Sequence, residues 1–237
     1  MALDRSTVIV QRGETALYDE GLRAYMLRVY NLMGLGLALT GLVAFGVAST
    51  PALFNLIFGT PLKWVVMLAP LGLAFFMGAR VSRMSQGAAQ ATFWVFAALM
   101  GASLATVFAV FTGASIARVF FITAAAFAGL SLYGYTTKRS LGAMGSFLLI
   151  GLIGLIVAMV VNLFLASSAL HFAVSVIGVL IFAGLTAYDT QRIKLMYDEV
   201  AGTEMAGKMA ILGALSLYLN FINMFMFLLQ FFGAQRE

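Results

Sequence analysis

The chain has 237 residues, of which 62% are hydrophobic and 10% charged. Soluble domains run at about 45–50% apolar and about 25% charged residues, so a water-soluble globule is excluded for want of polar surface. The absence of cysteine excludes disulfides, thiol catalysis and cysteine-ligated metals. The net charge of +5 is spread over the connecting segments, which marks it as a topology signal and not a nucleic-acid footprint.

A backbone in lipid must satisfy its own hydrogen bonds, which leaves helices or a closed barrel. Apolar runs of about 20 residues without period-two alternation select helices. The expectation is an all-α integral membrane protein with one transmembrane domain. Residues 1–25 contain Asp4, Glu14, Asp19 and Glu20 and no short apolar core. They read as a mobile cytoplasmic tail, not a cleaved signal, with the transmembrane domain over 26–237. Seven spans are predicted, at 26–48, 62–79, 88–111, 115–135, 143–165, 170–189 and 208–232. The first ends before Pro51, and Pro70 predicts a kink in the second.

With the N-terminus inside, the inner segments carry Arg5, Arg12, Arg23, Arg28, Arg80, Arg83, Lys138, Arg139, Arg192, Lys194 and Lys208. The outer segments carry Lys63, Arg118 and Arg236. This positive-inside bias orients the chain, and an odd number of spans then puts the C-terminus outside. Glycines within the helices, among them Gly34, Gly36, Gly41, Gly129, Gly151 and Gly154, are expected at close helix contacts, where small residues let backbones approach.

Between Glu20 and Asp198 the chain has one acidic residue, Asp189, at the end of the sixth predicted span. A carboxylate at membrane depth is costly, so it is expected to be paired, to face the protein and to mark function. The seventh span offers partners. Ser216, Asn220, Asn223 and Gln230 recur at helical spacing, and such a polar stripe on an apolar span is expected to point into the bundle. Asn220 and Asn223 are the expected partners of Asp189. The bland alternative for Asp189 is a surface carboxylate paired with Arg192 and Lys194. Arg80 and Arg83, at the inner end of the second span, read either as topology anchors or as a salt-bridge latch over Asp189. Asn162 is expected to bond a neighbouring helix, and His171 to be interfacial.

Other chemistry lacks its residues. A single histidine forms no zinc motif and no serine–histidine dyad, and one acid at membrane depth cannot make an aspartyl protease pair. Lys208 opens its helix, away from the depth a retinal Schiff base needs. No glycine-rich nucleotide loop is present. The expectation is no enzyme and no cofactor.

The segments Tyr188-Asp189-Thr190-Gln191 and Ala214-Leu215-Ser216-Leu217-Tyr218-Leu219-Asn220-Phe221-Ile222-Asn223 resemble the signature of the Bax inhibitor-1 family, in its bacterial form. The resemblance, over essentially the whole chain after the tail, implies six helices surrounding a central seventh and a pH-responsive calcium leak. It also implies a proton-sensitive pair of aspartates on the last two helices, latched by an arginine of the second. Asp189 matches the first aspartate, and Arg80 is the nearest candidate for the latch. Asn220 stands where the second aspartate is expected. An acid–amide pair lacks the repulsion that makes two carboxylates share a proton, and it offers a divalent cation one fewer charge.

The expected function is therefore a cation leak in a bacterial inner membrane, with calcium as the transported ion. Asp189, Asn220, Asn223 and Ser216 would form the ion pathway and pH gate, Asp189 would be the metal-contacting group, and Arg80 or Arg83 the latch. Two alternatives stand beside it: a regulatory membrane protein whose tail captures a membrane protease or stress-response partner, and a proton-coupled transporter. The expected partners are the lipid bilayer, cations and other membrane proteins; no nucleic acid is expected.

Overall fold

A computed structural model describes residues 5–236, with side chains from residue 19 onward. The described residues form eight helices: α1 (Arg5–Ser49), α2 (Pro51–Phe58), α3 (Leu62–Arg80), α4 (Gln86–Val110), α5 (Gly113–Thr136), α6 (Gly142–Leu165), α7 (Ser168–Val200) and α8 (Met205–Phe232), with a 3-10 turn at Val81–Arg83. Seven of them are long and apolar enough to cross a bilayer; α2, the short one, lies between the first two spans. Pro51 sits in its first turn, where the missing N–H costs nothing.

The helix starts follow local chemistry. Ser85, Thr112 and Ser167 cap α4, α5 and α7 by accepting hydrogen bonds from the backbone N–H groups of Ala88, Ser115 and Leu170. Pro70 lies inside α3, where it withdraws the donor that the Val66 carbonyl would otherwise receive.

Two helices are longer than expected. Residues 5–25 belong to α1, not to a separate tail, and Leu22 and Tyr25 are buried in the core; residues 1–4 lie outside the described residues. At 1.5 Å per residue, the 45 residues of α1 span about 68 Å, more than twice a hydrocarbon layer of about 30 Å. Likewise α7 does not stop at Asp189. It runs on through Thr190, Gln191 and Arg192 to Val200, and the chain turns only at Gly202, whose φ is +73°. Asp189 is therefore inside a helix, about 16 Å from its end.

In lipid the hydrophobic effect does not drive helices together, so close packing and polar ties must. The spans differ in how much of each is buried. The α8 span is 72% buried, against 11–39% for the others, and α1, α3, α4, α5 and α7 all pack on it. α6 packs chiefly on α7. It has the most apolar span, with Leu163 and Phe164 80% and 85% exposed, as suits a lipid-facing surface. Glycines make several of the contacts. A Cβ on Gly134 would strike the Ala187 backbone, and one on Gly145 the Tyr188 ring. Of the glycines singled out from sequence, Gly36 and Gly151 sit against Phe93 and Ile181; Gly34, Gly41, Gly129 and Gly154 face open space.

One end of the bundle gathers the basic connections. Lys208 Nζ donates to the Ser82 carbonyl at 3.3 Å, and Tyr25 packs on Tyr197 with ring centroids 5.3 Å apart. At the opposite end the C-terminal segment is tied to the α4–α5 turn: Ala234 N–H donates to Ser115 Oγ, and Arg236 N–H to the Val110 carbonyl.

Candidate functional site

Asp189 leaves α7 toward α8 and is 8% exposed. Its two oxygens have separate partners. Asn220 Nδ2 donates to Oδ2 at 2.8 Å across the helix interface, and Arg192 NH2 lies 3.4 Å from Oδ1, one turn along the same helix. The Arg192 side chain is 47% exposed, and its guanidinium also donates to Ser216 Oγ on α8 at 3.5 Å. An acid, an amide, a hydroxyl and a guanidinium thus close one small network across the α7–α8 seam.

The expected stripe on α8 divides. Asn220 points inward and is 4% exposed, but Ser216 and Asn223 are only half-buried and Gln230 is exposed. Along α8 the positions 212, 216, 219, 223, 226 and 230 form its least buried face. Asn223 does not reach Asp189; its Nδ2 donates to the Leu219 carbonyl of its own helix at 2.8 Å. Gln230 Oε1 instead accepts from Ser175 Oγ at 3.2 Å, near the other end of α7. The correction has a simple cause. Helical spacing groups residues on one face but does not say which face is covered, and here the aromatic and aliphatic faces of α8 are the enclosed ones.

The latch is corrected as well. Arg80 ends α3, Arg83 ends the 3-10 turn, and both are exposed. Among the described residues the ion pair of Asp189 is made by Arg192, the cation three residues on in its own helix. Nor do the described residues contain a cluster of three or more metal-binding side chains. Asn162 closes the α6–α7 turn, its Oδ1 accepting from Ser167 N–H at 3.0 Å, instead of bonding another helix. The residue it helps to hold, Ala166, has φ 47°.

Three features escape a reading of the sequence. Gln191, one residue of the quoted signature, clamps the α5–α6 connection: Oε1 accepts from Leu141 N–H at 2.8 Å, and Nε2 donates to the Arg139 carbonyl at 2.9 Å. Lys194 donates to the Tyr135 carbonyl at 2.9 Å and lies over that residue's ring. On the far side of α8, the hydroxyls of Thr40 and Tyr218 are 2.6 Å apart, and Thr40 also donates to the Ala97 carbonyl of α4. Phe93 and Phe96 pack edge-on to the Tyr218 ring. Each of Gln191, Lys194 and Thr40 acquires its role from a partner at least 50 residues away in the chain.

Comparison with known proteins places this arrangement. The family model described as inhibitor of apoptosis-promoting Bax1 matches residues 22–237. A protein of Rickettsia prowazekii, RP147, is 48% identical over 237 residues, covering 99% of this chain and all of the relative. A Caulobacter vibrioides protein is 50% identical over 229 residues, covering 92% of each chain. The inner membrane protein YbhL of Escherichia coli is 44% identical over 219 residues, covering 91% of this chain and 94% of the relative. With seven spans, matches along nearly its whole length and the signature segments on α7 and α8, the chain belongs to the Bax inhibitor-1 family of membrane proteins.

Proposed function

We propose that this protein is a pH-modulated cation leak channel, with calcium as the principal ion and the Asp189–Asn220–Arg192–Ser216 network as its gate. The observation that carries the reading is Asp189 itself. It is the one acid between Glu20 and Asp198, it is buried at the α7–α8 interface, and a partly exposed guanidinium holds it. Such a carboxylate at membrane depth is rarely kept without a role. Protonating it removes the charge that Arg192 pairs with, so proton concentration and the latch act on one group. Asn220 holds the carboxylate without adding a second charge. The basic end faces the cytoplasm in this reading, as the positive-inside rule requires, and the protein is a transporter of ions, not an enzyme.

Calcium and monovalent cation flux in liposomes tests it. The wild type should pass calcium with a pH-dependent rate, and Asp189→Ala and Asn220→Leu should change that rate and its pH dependence. Absence of flux from the wild type sinks the channel; flux that ignores both substitutions sinks the assignment of the gate.

A second reading is favoured by α1, which begins at Arg5, well before the candidate span that opens at Asp19. As a rod at the surface it suits capture of a membrane-protein partner. Deletion of residues 1–18 should then abolish capture and leave flux intact.

A further inference from the structure

The α7–α8 seam is built in layers, and the aromatic one among them has no part in the gate described above. From the basic end, Ile193 packs on Gly213, Asp189 bonds Asn220, Phe182 stacks on Phe227, and Ser175 bonds Gln230. The partners step by four or seven residues on α7 and by three or seven on α8, so successive layers lie on one continuous line. Polar, aromatic and polar layers alternate along the line that runs from the Asp189 site to the opposite end of the bundle.

That opposite end is open and presents several polar side chains beside Phe172 and Phe231. A cavity of about 500 Å³ is lined there by Asn162, Ser167, His171, Ser175 and Gln230. Water enters a cavity that is roomy and offers several hydrogen-bonding partners, and this one has both. A second cavity, of about 390 Å³, shares Asn162, His171 and Gln230 with the first and has Phe227 in its wall. The rest of its wall, Ile156, Met159, Val160, Leu163 and Val174, is apolar, so the polar region ends at Gln230, about one turn short of Phe227. Beyond it both rings are closed off: Phe182 and Phe227 are each 6% exposed, with centroids 5.9 Å apart. Gly178 completes the closure. A Cβ there would come within 2.7 Å of the Phe227 ring, so the ring lies directly on the α7 backbone.

We propose that Phe182 and Phe227, closed over Gly178, form a dry barrier between the polar cavity and the Asp189–Asn220 site. The barrier is hydrophobic and gates by excluding water, in series with the charged latch. Its place in an ion path rests on the leak reading, but its dryness does not, and the two can be tested separately.

Because the chain has no cysteine, single cysteines report water access directly. Asn223→Cys and Gln230→Cys proteins in sealed liposomes are treated from outside with a membrane-impermeant, positively charged methanethiosulfonate. Gln230→Cys labels in the share of molecules whose cavity end faces out. In the Phe227→Ala background, the labelled share of Asn223→Cys should rise by that same share, because reagent now passes from the cavity side. Phe182→Ala should give the same rise by a second route, while Phe227→Leu, which keeps an apolar plug, should leave the labelled share where it stands. An Asn223→Cys share unchanged by both alanine variants, with Gln230→Cys labelling retained, overturns the barrier. Single-cysteine proteins that label as expected, with a wild type that passes no calcium, overturn the leak and not the barrier.

Discussion

Asn220 donates to Asp189 across 2.8 Å, from the middle of one helix to the middle of another. The bond uses the amide as donor and the carboxylate as acceptor, so it is strongest when Asp189 carries its charge. Asp189→Asn keeps the shape and removes the titration. The expected outcome is calcium flux in liposomes that is flat across the range where the wild type responds to pH. A variant that keeps the wild-type response would move the proton sensor to another group.

Asn220→Asp restores a second carboxylate beside the first. Two close acids cannot both ionise cheaply, so they titrate as a coupled pair. The gating transition should move toward neutral pH, and calcium should bind more tightly, because each carboxylate adds to a hard oxygen site. Flux against pH, together with calorimetric calcium titration, measures both effects.

Arg192 holds Asp189 from a half-exposed position. Exposed ion pairs are worth about 1 kcal/mol or less, so Arg192→Ala should raise the resting leak by up to about fivefold. Arg80→Ala and Arg83→Ala should leave it unchanged, since neither cation pairs with Asp189 among the described residues. A larger effect from Arg80→Ala than from Arg192→Ala would return the latch to α3.

Gln191 joins α7 to the α5–α6 connection through two hydrogen bonds. In Gln191→Leu the Leu141 N–H and the Arg139 carbonyl lose their partners, a loss of about 1–3 kcal/mol for a buried group left unsatisfied. Thermal unfolding in detergent should shift downward, and amide exchange at 139–142 should quicken. Protection that stays at the wild-type level would show that the connection is held by something else.

Gly134 lets α5 and α7 touch, since a Cβ there would strike the Ala187 backbone. Gly134→Val should destabilise by about 1–3 kcal/mol through overpacking, read as a lower unfolding temperature. Gly129→Ala, on the same helix but facing open space, should be neutral. Equal effects would mean that helix propensity and not packing governs both sites.

The membrane class, the seven spans and the singularity of Asp189 among the acids were all legible in the amino-acid order. They depend on quantities that are local or summed: apolar run length, the placement of cations, and the cost of one charge in lipid. Asn220 was identifiable as the partner because an acid at that depth needs a donor and the facing helix supplies few. The end of α7 was not legible, because Gln191 and Lys194 resemble a helix terminus until their partners on distant turns are known. The inward direction of the polar stripe failed for a related reason: Ser216, Asn223 and Gln230 share a face, but packing with α1, α4 and α5 buries the other faces of α8. The sequence by itself determined that this chain crosses the membrane seven times with one costly carboxylate. The tertiary structure decided among the candidates, Asn220 over Asn223 and Arg192 over Arg80, because pairing depends on which helix faces meet, and that follows from shape complementarity between residues far apart in the chain.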